Sequence, residues 1–222
     1  MPLIASQPYQ RIAIGISLLL VTAACGRLPD YALPKMQLAD AAQLAHADGV
    51  PYRQLTRADF RATTPPIDNA RHAAQMSAFS CVNVVPNGEL QMEMRQAAPG
   101  GEFVARPNQI AFLAKMDRNC SWWNPKQESA QLAYVLQHEQ IHFAIAEAGG
   151  RELTKRILAQ SATGDSPEQA ASALQRAIDG AVRDAMDEMS ARNTEFDLAT
   201  SGRREPVLQQ RWYDQLSAEL KR

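Results

Sequence analysis

Two of the chain's four histidines, His138 and His142, stand four apart in QLAYVLQHEQIHFAIAEAGG (residues 131–150), and Glu139 follows the first directly. On a helix, side chains at i and i+4 lie one above the other, so two imidazoles at that spacing can reach one zinc ion at ~2.0–2.1 Å. Glu139 is turned about 100° from His138 and is a general base rather than a ligand. Zinc polarises a water near neutral pH, and a neighbouring carboxylate takes its proton and returns it to a leaving amine. H-E-x-x-H is thus the spacing that metal-assisted peptide-bond hydrolysis requires. The competing reading is a hydrogen-bonded polar cluster in a core.

On a helical wheel, His138, Glu139 and His142 fall in the sector of Leu132, Tyr134, Val135, Ile145 and Ala146. Gln137, Gln140 and Glu147 gather opposite, where water is expected. Ionisable groups on a packing face need partners, because an unpaired buried charge costs several kcal/mol. A metal ion is such a partner. His46 and His72 have no comparable arrangement and read as ordinary polar residues.

Catalytic zinc takes three protein ligands and keeps one position open. The extended pattern H-E-x-x-H-x-x-G-x-x-H is absent, since Ile145 and Ala148 occupy its last two defined positions, and no histidine follows His142. A third ligand from downstream must therefore be a carboxylate, and the long helix that follows offers Asp184, Asp187, Glu188, Glu195 and Asp197.

Three stretches bear on that choice: LTRADFRATTPP (55–66), SWWNPKQESAQLAYVLQHEQIHFAIAE (121–147) and FDLATSGRREPVLQQRW (196–212). Over roughly residues 54–216 the chain resembles a family of exported bacterial proteins of unknown function, described from this motif as zinc-dependent proteases. The first stretch is similar to the family's L-x-W-x-D-F, with Arg57 in place of tryptophan. The second is close to L-x-H-E-Q-x-H-F-D-I, and the third to Y-D-x-x-T-x-H-G followed by Q-x-x-W. On that match Phe196, Asp197, Thr200, Gln209 and Trp212 occupy motif positions. The family's histidine before glycine is missing, and Thr200-Ser201-Gly202 stands there. The resemblance implies a zincin-like arrangement, with Asp197 as third ligand and Glu188 in reserve. It also implies a sheet edge that could align an extended peptide above the histidine helix. If the absent histidine is a ligand, the site is degenerate. Tyr213 and the arginines of GRRE are oxyanion candidates by position alone.

The elements that must position these residues read as α+β. VPYRQLTRADF onward, to about residue 120, suggests a small antiparallel sheet with long loops. Two strand-like runs there flank a Pro86-Asn87-Gly88 turn. The remainder reads as helical. A long segment through the histidines is interrupted or bent at Gly149-Gly150, and SATGDSPEQ is a loop with Ser166-Pro167 as a helix start. Leu174, Ile178, Ala181, Ala185 and Met189 then recur at helical spacing, and Leu208, Trp212, Leu216 and Leu220 form a stripe that docks on the domain.

Near the amino terminus, IAIGISLLLVTAA (12–24) suits a signal-peptide core and ends before Cys25 in a lipobox-like TAAC, with Thr22 where an aliphatic residue is usual. The expected division is a signal peptide over 1–24, then a lipidated Cys25 with tether and short helix over 25–49, then a zincin-like domain over 50–222. A cleaved signal with Cys25 incidental is the alternative. Either way the protein is exported, to the periplasmic side of the envelope and as an outer-membrane lipoprotein if Cys25 carries lipid. That leaves Cys81 and Cys120 as a pair in an oxidising compartment, a disulfide or two buried thiols. A net charge of −1 gives no field to recruit nucleic acid, and membrane contact is expected through the lipid alone. The expected function is a zinc metallopeptidase acting on peptide or protein. The alternative is a non-enzymatic binding or scaffolding lipoprotein with a degenerate or structural site.

Overall fold

A computed structural model describes residues 49–65, 76–126, 131–200 and 205–222. The chain runs through strands β1 (Gly49–Pro51), β2 (Ala78–Pro86), β3 (Gln91–Gln96), β4 (Phe103–Gln109) and β5 (Phe112–Trp123). Helix α1 (Leu132–Leu158), strand β6 (Ala162–Gly164) and helices α2 (Pro167–Thr200) and α3 (Pro206–Leu220) follow. The molecule is α+β, with antiparallel pairing throughout both sheets. Cys25, His46, His72 and the expected signal peptide, tether and short helix lie outside the described residues. Gly49, expected to close that helix, opens β1. Among the described residues no helix is long and apolar enough to cross a membrane.

Among the described residues there are two small sheets where one was expected, in the orders β1-β5-β2 and β3-β4-β6. The turn after Pro86, with Gly88 at φ 87°, therefore does not close a hairpin. Composition explains the parting of its two strands. β5 turns the fully buried Ala114 and Met116 toward the core, and β2 brings the partly buried Val82 and Val84. β3, QMEMRQ, is almost wholly exposed and could not replace either. β3 pairs instead with β4, and β4 takes β6 on its other side. The SATGDSPEQ segment is thus a short strand before the helix start, where the Gln169 N–H donates to the Ser166 hydroxyl at 3.3 Å.

α1 is the central element. One core cluster joins its Val135, Ile141, Phe143 and Ile145 to the first sheet and to Leu216 and Leu220 of α3. A second joins Leu153 and Ile157 to Leu174, Ile178, Ala185 and Met189 of α2 and Ala105 of β4. Because α1 is enclosed on several sides, its second polar face is not solvated as the wheel suggested. Gln140 is buried, accepting the Leu55 N–H at 2.6 Å and donating to the Arg53 carbonyl at 3.0 Å. Glu147 is fully buried, accepting the Ala114 N–H at 3.1 Å and Arg151 Nε at 3.0 Å.

Gly149-Gly150 neither interrupts nor ends α1, which continues to Leu158. The glycines serve close approach. A Cβ at Gly150 would lie 3.1 Å from the Phe112 carbonyl oxygen, and one at Gly149 would overlap Met189. Cys81 and Cys120 form a disulfide between β2 and β5, with Cα atoms 5.7 Å apart.

Candidate metal centre

α1 and α2 pack side by side and bring three ligand-type groups together. His138 and His142 come from α1, their Nε2 atoms 3.2 Å apart. Asp197 comes from α2, its Oδ1 3.2 Å from His138 Nε2 and 3.1 Å from His142 Nε2. The edge of a tetrahedron with ~2.0–2.1 Å bonds is ~3.3–3.4 Å. Two imidazole nitrogens and a carboxylate oxygen at these separations therefore fit one zinc ion. The enclosure is one-sided: the histidine side chains are 14% and 18% exposed, the aspartate 50%. A fourth position would face outward past Asp197.

Aromatic rings close the inner side. Phe196 stacks on His138 at 4.5 Å between centroids and meets His142 edge-on at 5.0 Å, with Trp212 of α3 behind it at 5.5 Å. Burial opposes a charge on His142, but its hydrogen bond to Asp197 and the charges of Glu139 and Asp197 raise its pKa above the ordinary 6.5. Burial likewise works against the Asp197 carboxylate, yet the hydrogen bonds from His138 and His142 hold it well below the usual range. A field that draws a proton to this point draws a divalent cation to it also.

Glu139 is buried, and the Ser80 hydroxyl of β2 donates to its Oε2 at 2.6 Å. Ser80 sits at a break in register: Phe79 pairs with Trp122 and Cys81 with Asp117, so residues 118–121 of β5 bulge opposite Ser80 alone. The Cys81–Cys120 disulfide and a hydrogen bond from Cys81 N–H to the Ser121 hydroxyl at 3.0 Å span that bulge.

Glu188, the reserve ligand, is elsewhere. Its carboxylate accepts two hydrogen bonds from Arg156, at 2.8 and 2.7 Å. Asp184, Asp187 and Glu195 are exposed on α2 and outside the cluster. Among the described residues, His138, His142 and Asp197 are the one such grouping of potential ligands. Tyr213 is buried in the main core, as a structural residue would be. Asp59 pairs with Arg53 and Arg118, which gives the L-x-W-x-D-F-like segment a structural role. Gln209 donates to the Tyr134 carbonyl at 3.0 Å and to Gln137 at 2.8 Å, tying α3 to α1.

Sequence reasoning passed over two residues, Asn193 and Ser80. Asn193 Oδ1 lies 2.7 Å from His142 Nδ1. Its position four before Asp197 on one helix was the available signal. Ser80 carried none, since its approach to Glu139 depends on the bulge. Thr200, known only as a motif position, has its hydroxyl 3.4 Å from His138 Nδ1.

The fold and cluster define an α+β protein with a three-residue metal-type constellation between two packed helices. The profile of a family described as "Bacterial protein of unknown function (DUF922)" matches residues 121–205, under half of the chain. The match takes in the histidine helix and Asp197 but neither Ser80 nor α3. No curated protein and no solved structure matches the chain.

Proposed function

We propose that the protein is a zinc metallopeptidase of the cell envelope, zincin-like in arrangement and lipid-anchored through Cys25. The observation that carries this reading is the convergence of His138, His142 and Asp197 at 3.1–3.2 Å on a site open on one side. A closed structural site would use a fourth protein ligand, whereas an open one suits catalysis. His138, His142 and Asp197 would hold the ion, which supplies a Lewis acid for a water and a scissile carbonyl. Glu139, steadied by Ser80, takes the proton of the water whose oxygen bonds to the carbonyl carbon. As the carbon–nitrogen bond breaks, Glu139 passes that proton to the leaving amine. β2 has one strand partner among the described residues, so its outer edge can pair with an extended peptide.

Glu139→Gln tests the reading. The variant should retain about one zinc per chain and lose hydrolysis of an unstructured polypeptide by at least ~100-fold. Equal hydrolysis by the variant removes Glu139 from the mechanism. The second reading, a binding or scaffolding lipoprotein, is favoured by Thr200-Ser201-Gly202 standing where the resembled family has a histidine. A zinc-loaded protein that cleaves nothing in a broad peptide library would favour it.

A further inference from the structure

Asn193, Asp197 and Thr200 stand at spacings of four and three on α2, hence on one face of that helix. Asp197 meets both histidines at Nε2, while its two neighbours meet them at Nδ1. The Asn193 amide nitrogen donates to the Met189 carbonyl at 2.9 Å, which leaves Oδ1 as an acceptor for His142 Nδ1–H at 2.7 Å. The Thr200 hydroxyl donates to the Phe196 carbonyl at 2.7 Å, so its oxygen receives His138 Nδ1–H at 3.4 Å. When both rings are neutral and bind metal, each then carries its proton on Nδ1 and aims a lone pair from Nε2 at the same point. Lone pairs facing each other and a carboxylate repel unless a cation lies between them.

Resting on the metal reading above, we propose that Asn193 is a positioning residue which fixes the tautomer and orientation of His142, with Thr200 doing the same more weakly for His138. Both acceptors are uncharged. A dication held by two neutral imidazoles and one carboxylate would leave one net positive charge on the assembled centre, and a second-sphere carboxylate would cancel it. The chain thereby gives up some grip on the metal and keeps an electron-poor one. Outer partners of this kind alter metal affinity by about 10–100-fold.

The test is zinc affinity of the full chain, by competition with a chromogenic chelator, with the cobalt(II) absorption spectrum as a second readout. Asn193→Leu should bind zinc about 10–100-fold more weakly than wild type and alter the cobalt(II) bands, with metal-free melting checked to exclude misfolding. Asn193→Asp, which keeps an acceptor and adds charge, should bind more tightly than wild type. Thr200→Val should weaken binding less than Asn193→Leu. Leucine at 193 binding within about twofold of wild type, or aspartate there binding no better than leucine, overturns the proposal. A wild type that takes up no zinc overturns it together with the metal reading. A wild type that binds zinc and cleaves nothing, with the affinity order aspartate, asparagine, leucine preserved, supports it while removing the peptidase reading.

Discussion

The three carboxylates buried among the described residues are held in different ways, and the difference bears on what each can do. Asp59 and Glu147 each face arginine and accept a backbone N–H, an arrangement that occupies both oxygens. Glu139 has the Ser80 hydroxyl as its one hydrogen-bond partner among the described residues. An arginine would neutralise a base, whereas a serine orients it and leaves the second oxygen for a reacting proton. A hydrogen bond to a charged group contributes about 1.5–3 kcal/mol, so on the proposed peptidase reading Ser80→Ala should lower kcat about tenfold or more. KM and zinc content should stay near wild type, because the substitution changes neither the three proposed ligands nor the backbone of β2. Ser80→Thr, which keeps the hydroxyl, should recover most of kcat. A change confined to KM would place Ser80 in substrate binding instead.

At the scale of elements, the centre is made by two helices and corrected by one strand. α1 supplies the histidine pair by its own periodicity, and that much is legible in H-E-x-x-H alone, whereas Asp197 stands out from the other carboxylates of α2 only through the resemblance of FDLAT to a family motif. The rest depends on neighbours that a helical wheel does not contain. Gln140 and Glu147 look solvated by spacing, yet each satisfies backbone groups of a segment arriving from outside the helix. Gly149-Gly150 looks like a break because glycine weakens helices, but β5 and α2 come so near there that a Cβ would press on the Phe112 carbonyl and the Met189 side chain. The bulge at Ser80 has no local signature, and the parting of β2 and β3 shows only in the polar composition of QMEMRQ. The bulge is also where Cys81 and Cys120, legible only as an even pair, tie β2 to β5 across a separation of 39 residues. A loop of that length gives about 3–4 kcal/mol on the loop-entropy account. Cys81→Ser with Cys120→Ser should therefore lower the urea midpoint by an amount corresponding to that range. It should also reduce kcat as Ser80→Ala does, with little further loss when the three changes are combined. Full additivity would mean that the disulfide does not act through Ser80.

For the molecule as a whole, the proposed metal centre should couple stability to pH in opposite directions with and without metal. The folded-state pKa of His142 is raised, so in the metal-free protein its contribution is complete below the unfolded value of 6.5 and is lost as pH rises through the folded value. Asp197, with a depressed pKa, contributes above its unfolded value of 3.8 and loses that contribution only in strong acid. Between these limits the metal-free pair is ionised and pins α1 to α2. On the proposed metal reading zinc should reverse the upper slope, because a ligating imidazole must give up the proton that Asp197 and Glu139 favour. Free zinc at about 100 times Kd adds about 2.7 kcal/mol to folding stability, and Kd falls as pH rises toward the folded pKa of His142. At a fixed zinc concentration, the gain in melting temperature over the chelator-treated protein should therefore be larger at pH 8 than at pH 6. The chelator-treated protein should itself melt lower at pH 8. In Asp197→Asn both trends should flatten, since that change removes the carboxylate that raises the His142 pKa and the third ligand together. A zinc-induced gain equal at both pH values in the wild type, measured by calorimetry in matched buffers, would show that zinc binds without displacing a proton from His142 and hence somewhere other than this centre.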